Sequence, residues 1–164
     1  MSSSFHSKIM AGFISIFAVT TAFVLFSATT AMARLIDNVD PLIGTGGEGF
    51  SVGSVSPAPA MPFGMVKPAP DTSSEGSAPS FYHCAGYWHK DTHIRGFSHN
   101  RMHGTGVPDY GNIMIMPATG RPADMLNEES YRTKFAHKQE EAKVGYYAVD
   151  LLRTGIKAEI TAAD

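Results

Sequence analysis

The sequence is poor in cysteine and in charge of either sign. One cysteine, Cys84, stands among 164 residues. A single thiol excludes an intrachain disulfide framework and a four-cysteine zinc site. Cys84 reads as a buried thiol. Only 17% of the residues are charged, and 13 Lys+Arg against 15 Asp+Glu leave a net charge of −2. Nucleic-acid binders carry a basic face, so no nucleic-acid partner is expected. The 43% hydrophobic fraction excludes disorder of the whole chain. No amphipathic helix of three turns is evident after residue 34. Nucleophile motifs are missing as well: there is no Gly-x-Ser-x-Gly, and the adjacent Ser98 and His99 do not make a triad.

Charge is wholly absent from Ile9 to Ala31, and Ala31-Met32-Ala33 follows, then Arg34. This is the layout of a secretory signal peptide covering residues 1–33. An uncleaved anchor is the alternative, because the run approaches membrane-spanning length. Cleavage would leave 131 residues in a protein exported to the periplasm or beyond, with no remaining membrane attachment.

The rest, residues 34–164, reads as one mainly β domain, an antiparallel β-sandwich. Its clearest element is a hairpin. Gly145–Leu152 is a strand, Arg153-Thr154-Gly155 a turn, and Ile156–Thr161 alternates apolar and polar residues. Ile94–Ser98, Asn112–Met116 and the stretch Tyr131–His137 read as further strands. Met61–Val66, bracketed by prolines, reads as an edge strand, and residues 70–80 as a Ser/Pro/Gly loop. The glycine-rich run 44–49 lacks the helix, Lys and Ser/Thr of a phosphate loop, so its glycines read as positions of positive φ or close chain approach. The chain ends on the hairpin, which suggests continuation into further structure.

Five of the seven histidines lie between residues 83 and 103: His83, His89, His93, His99 and His103. His89/His93 and His99/His103 have i, i+4 spacing, but Gly96, Gly104 and Gly106 oppose a helix there. In a strand, i and i+4 lie roughly 13 Å apart, too far for one zinc ion. Exposed or partly buried histidines on loops are the leading reading, and one or two of them lining a polar ligand cleft the second. The run Gly104–Gly111 pairs small residues with Thr105 and Asp109, as a ligand-facing loop or a capped turn would. Hydrolysis of a glycosidic bond needs two carboxyl groups. Asp71, Asp91, Asp109, Glu128 and Glu129 are available, and no spacing singles out a pair.

A resemblance adds to this. Val39-Asp40-Pro41-Leu42-Ile43-Gly44-Thr45-Gly46, Pro62-Phe63-Gly64-Met65-Val66, Pro70-Asp71-Thr72, Gly86-Tyr87, Ile94–His99, Gly104-Thr105-Gly106 and Asp109-Tyr110-Gly111 occur in order. Together with the terminal hairpin, this order resembles the N-terminal domain of glycoside hydrolase family 92. The sequence departs from the family at Asn100–His103, where a Thr- or Ser-containing run is expected. The resemblance implies an exported, calcium-dependent, inverting exo-α-mannosidase that acts on α-mannoside glycans. Its N-terminal sandwich would pack on a C-terminal (α/α)6 barrel that supplies the catalytic acid, the catalytic base and most calcium ligands. On this reading the chain forms one wall of the sugar pocket and holds no catalytic residue of its own. His99, Thr105, Gly106, Asp109 and Trp88 are its expected substrate-binding residues. A stand-alone carbohydrate-binding sandwich module is the second reading, and a histidine-rich metal-binding protein the third.

Overall fold

The computed structural model describes residues 35–49, 52–76 and 80–163. The expected signal peptide lies outside the described residues. The chain divides into two compact units, Met1–Val39 and Asp40–Asp164. In the first, the described part is a turn in which Asn38 and Val39 donate backbone N–H groups to Leu35 and Ile36. Among the described residues, no helix is long and apolar enough to cross a membrane.

The mainly β expectation holds, as two antiparallel sheets. The first is built on β2 (His93–Ser98), which pairs along its length with β1 (Ala69–Ser73). Its other edge is shared by two short strands. β3 (Met114–Ile115) faces Phe97 and Ser98, and β4 (Thr133–Lys134) faces His93 and Ile94. The second sheet is a meander of β5 (Glu140–Lys143), β6 (Tyr146–Leu151) and β7 (Ile156–Ile160).

The predicted hairpin is β6–β7, with Tyr147 opposite Ile160 and Leu151 opposite Ile156. Period-two patterning sends Tyr147, Val149 and Leu151 to one face. There they pack with Tyr87, Ile94 and Phe135, and the partly buried Ile156, Ala158 and Ile160 extend the cluster. Burying each large apolar side chain contributes about 1.5–3 kcal/mol, so this cluster is the main anchor for the loops around it.

Three strand expectations and one loop expectation need correction. Residues 61–66 form a turn rather than an edge strand: Gly64 N–H donates to Met61 O at 3.0 Å, and Phe63 takes a left-handed φ of 62°. Within 70–80, the Pro70–Ser73 part belongs to β1, where it pairs with β2 and the Asp71 and Thr72 side chains find buried partners. Asn112–Met116 shrinks to β3. In Tyr131–His137, Tyr131 closes the one-turn helix α1 (Glu128–Tyr131), capped by the Asn127 side chain, and only Thr133–Lys134 is a strand. The close-approach reading of the glycine run holds at Gly46, where a Cβ would lie 2.9 Å from the Cβ of His89.

Candidate functional site

Two buried carboxylates organise the loops beside the first sheet. Asp71, at the β1 bulge, is 1% exposed. Ser98 Oγ on β2 donates to it, and Arg101 donates from Nε and Nη2, each at 2.9 Å. Burial pushes the Asp71 carboxyl above its ordinary range, against the lowering effect of Arg101 and Ser98. The pair leaves no room for side chains on two neighbouring glycines. The Asp71 carboxylate occupies the place of a Cβ on Gly86, and the Arg101 guanidinium that of a Cβ on Gly111. Asp91 accepts from Thr72 Oγ1 at 2.7 Å, Ser74 Oγ at 2.8 Å and His83 Nε2 at 2.6 Å. Ser80 N–H donates to His83 Nδ1 at 2.8 Å, which places the imidazole proton on Nε2. Burial raises the Asp91 carboxyl, but its three donors outweigh burial and hold it below the ordinary range.

Arg101, pinned in this way, forms the base of a loop. It makes a β-bridge to Tyr110, and Gly111 N–H donates to Asn100 O at 2.7 Å. Tyr110 is half exposed and held in left-handed backbone, φ 63°, with its N–H donated to Asp109 Oδ1 at 2.7 Å. Beside the loop lies a groove of about 480 Å³, whose polar lining includes Lys67, Asn100, Arg101, His103 and Tyr110. His103 Nε2 lies 3.1 Å from Ser56 Oγ. Burial, then the Lys67 charge, pushes the His103 imidazole below its ordinary pKa, so the groove presents a neutral imidazole beside Lys67, the pinned Arg101 and an aromatic ring.

The five residues expected to bind substrate do not share one pocket. Thr105 and Asp109 are exposed and Gly106 half-buried on the tip of the loop. Thr105 Oγ1 accepts from Val107 N–H at 3.3 Å, so both polar side chains also cap their own turn. His99 lines a different, apolar cavity of about 340 Å³ together with Phe97, Ile115 and the β7 residues Ile156–Ile160, and its Nδ1 is buried without a partner. Its carbonyl accepts from Lys67 N–H at 2.9 Å, which ties it to the groove through the backbone. Trp88 is buried, stacked on Tyr82 at 4.5 Å. Of the groove residues, His103 lay in the histidine run and Tyr110 in the Gly104–Gly111 loop, whereas Lys67 carried no sequence signal of its own, because it joins them from a separate chain segment.

The five candidate carboxylates all have structural partners. Asp71, Asp91 and Asp109 are held as described. Glu128 takes a two-pronged bond from Arg95 at 2.7 and 2.6 Å, and Arg95 holds its carboxyl below the ordinary range. Glu129 pairs with Arg132 at 2.7 Å. Asp71 and Asp91 are buried in these contacts, whereas Asp109 and Glu129 are exposed. The histidines disperse likewise: His83 goes to Asp91, His93 to Thr92 and His103 to Ser56.

Among the described residues, one group of three ligand-type side chains converges: His89, His137 and Glu140. Calcium takes six to eight oxygen ligands, and two of these three donors are imidazole nitrogens. The group does not suit calcium.

Residues 38–164 match the glycosyl hydrolase family 92 N-terminal domain. No curated protein matches the chain. Among solved structures, it resembles a family GH92 α-mannosidase from Bacteroides thetaiotaomicron, determined in complex with mannoimidazole. The identity is 35% and the TM-score 0.66, over 79% of this chain and 17% of the other. A family GH92 inverting mannosidase from Bacteroides thetaiotaomicron VPI-5482 is 30% identical with a TM-score of 0.58, over 77% and 16%. The family GH92 glycosyl hydrolase ccman5 is 28% identical with a TM-score of 0.60, over 78% and 17%. The chain thus spans about a sixth of the length of these relatives.

Proposed function

The chain belongs to the glycosyl hydrolase family 92 N-terminal domain family, and from that premise we propose that it is the N-terminal part of an exported, calcium-dependent, inverting exo-α-mannosidase. Its two sheets would form a β-sandwich that packs on a separate catalytic barrel. The observation that carries its role is the groove of Lys67, Arg101, His103 and Tyr110, whose base is fixed by the buried Asp71–Arg101 pair.

The groove would form one wall of the sugar pocket. Lys67 and Arg101 donate to sugar hydroxyls, neutral His103 offers one donor or acceptor, and the Tyr110 ring offers an apolar face. The loop tip with Thr105, Gly106 and Asp109 would close over the sugar. His99 would support the groove through its backbone bond to Lys67, and Trp88 from the packed interior. Hydrolysis with inversion needs an acid and a base about 6.5–9.5 Å apart, with water between base and sugar. The buried Asp71 and Asp91 are engaged in the fold, and on the family resemblance both groups would come from outside this chain. The same holds for the calcium ligands, since the converging group here is nitrogen-rich, and no step of this chain's part runs through the ion.

The test is an assay of the complete protein on α-mannosides, with and without a calcium chelator. Hydrolysis that chelation abolishes and calcium restores is expected, with Tyr110→Ala lowering kcat/KM at least about tenfold through lost ring contact. No turnover of any α-mannoside would sink the proposal. An unchanged kcat/KM in Tyr110→Ala would remove the groove from it.

A further inference from the structure

Glu140 opens β5 with its side chain 1% exposed. Tyr147 Oη donates to its Oε1 at 2.8 Å, and Tyr87 Oη to its Oε2 at 3.0 Å. His137 Nδ1 lies 2.7 Å from the same Oε2, and His89 Nδ1 lies 3.2 Å from Tyr87 Oη. The two imidazole rings stack at 4.2 Å, and Phe135 meets His137 edge-on at 5.0 Å. The ligand-type atoms of His89, His137 and Glu140 lie within 4.8 Å of one another.

The protons can be placed from the hydrogen-bond partners. The single hydroxyl proton of Tyr87 goes to Glu140, so the contact with His89 uses the Nδ1–H of that ring, leaving the lone pair of His89 Nε2 free. The Glu140 carboxylate only accepts, so His137 Nδ1 carries the proton between them. Among the described residues, the basic side chain paired with this buried anion is His137 alone, with no lysine or arginine. A buried carboxylate calls for a cationic partner.

We propose that His89, His137 and Glu140 bind one divalent transition-metal ion of the zinc class. Two imidazoles and one carboxylate are a zinc donor set that leaves a fourth position for water. The nitrogen donors select against calcium and magnesium. Zinc bonds of about 2.0–2.2 Å set tetrahedral ligand atoms roughly 3.4 Å apart, and rotation of His137, 39% exposed, closes the remaining distance. The ion takes the place of the proton between His137 and Glu140. That proton moves from Nδ1 to Nε2 of the same ring, so the imidazole stays neutral. Tyr87 and Tyr147 become the outer partners that orient His89 and Glu140. Gly46, bare of a side chain, lets the loop that carries it pack behind His89. The ion would clamp the loop of residues 87–89 to the first turn of the second sheet.

The experiment strips the complete protein of metal and titrates it with zinc chloride in excess calcium. One zinc per chain, a raised Tm, and the visible absorption of a four-coordinate site on cobalt substitution are expected. His137→Gln keeps an amide N–H that can donate to Glu140, its fold is checked by circular dichroism, and it weakens zinc binding at least about tenfold. His89→Gln weakens it likewise. Failure to retain zinc, displacement of zinc by calcium, or unchanged affinity in both variants would each overturn the proposal. No readout requires hydrolysis, so this result stands apart from the mannosidase assay.

Discussion

Arg101→Met isolates a carboxylate the fold has buried. Asp71 is 1% exposed and keeps only Ser98 once the guanidinium is gone. Removing one partner of a buried ion pair costs about 3–5 kcal/mol. The lower end applies, since the Arg101 side chain is 17% exposed and Asp71 can take up a proton. About 3 kcal/mol is expected at pH 7. With a urea m-value of roughly 1.5–2 kcal/mol/M, the unfolding midpoint should fall by about 1.5–2 M. Linkage fixes the pH dependence. Burial already raises the Asp71 carboxyl in the native protein. The folded state therefore binds that proton more tightly than the unfolded chain. The cost of the buried anion is absent near the ordinary carboxylate value of about 3.9 and grows as pH rises through the raised value. Loss of Arg101 raises that value further. The deficit should thus be largest at pH 7 and shrink at pH 5, and Asp71→Asn in the same background should recover at least half of it. Urea melts of the parent, Arg101→Met and the double variant at both pH values decide the matter. A midpoint shift below about 0.5 M at pH 7, or a deficit equal at pH 5 and pH 7, refutes the reasoning.

Two further outcomes follow from neighbouring residues. Gly86→Ala places a Cβ where the Asp71 carboxylate sits, at a φ of 88°, and should cost about 2 kcal/mol or more. A circular-dichroism melt should show Tm lowered by roughly 6–10 °C, and a drop under about 3 °C would contradict the packing described. The pKa of His103 is depressed in the fold, so its contribution is complete above the unfolded histidine value of about 6.5 and is lost as pH falls toward the folded value. His103→Gln should flatten the acid limb of the stability profile below pH 6.5 by at most about 1.4 kcal/mol per pH unit, and an unchanged slope would count against it.

The β6–β7 hairpin was legible because its apolar residues alternate over one buried face. β1 was not: Ala69–Ser73 is buried throughout yet holds Pro70, Asp71, Thr72 and Ser73, and Asp71 and Thr72 are held by partners 16 to 30 residues away. No hydrophobic pattern marks such a strand. β5, Glu140–Lys143, has a composition that suits a helix and is a strand because β6 pairs with it. The turn at 61–66 replaces a strand because Phe63 enters left-handed backbone. At the site, local composition located the 99–111 loop but not the groove, which needs Lys67. The histidine run pointed to His89, but its partners came from 48 and 51 residues downstream, beyond any local spacing argument.

Tyr110 leaves a last consequence. Left-handed backbone costs a tyrosine on the order of 1–3 kcal/mol, and the Asp109 cap, the Arg101 bridge and the Gly111–Asn100 bond hold it there. Glycine would occupy the same backbone without that cost and would remove the ring from the groove. The sequence that best stabilises this loop and the sequence that furnishes the groove with an aromatic face are therefore different sequences. Any attempt to harden the domain by relaxing this strained position would take the aromatic face out of the groove.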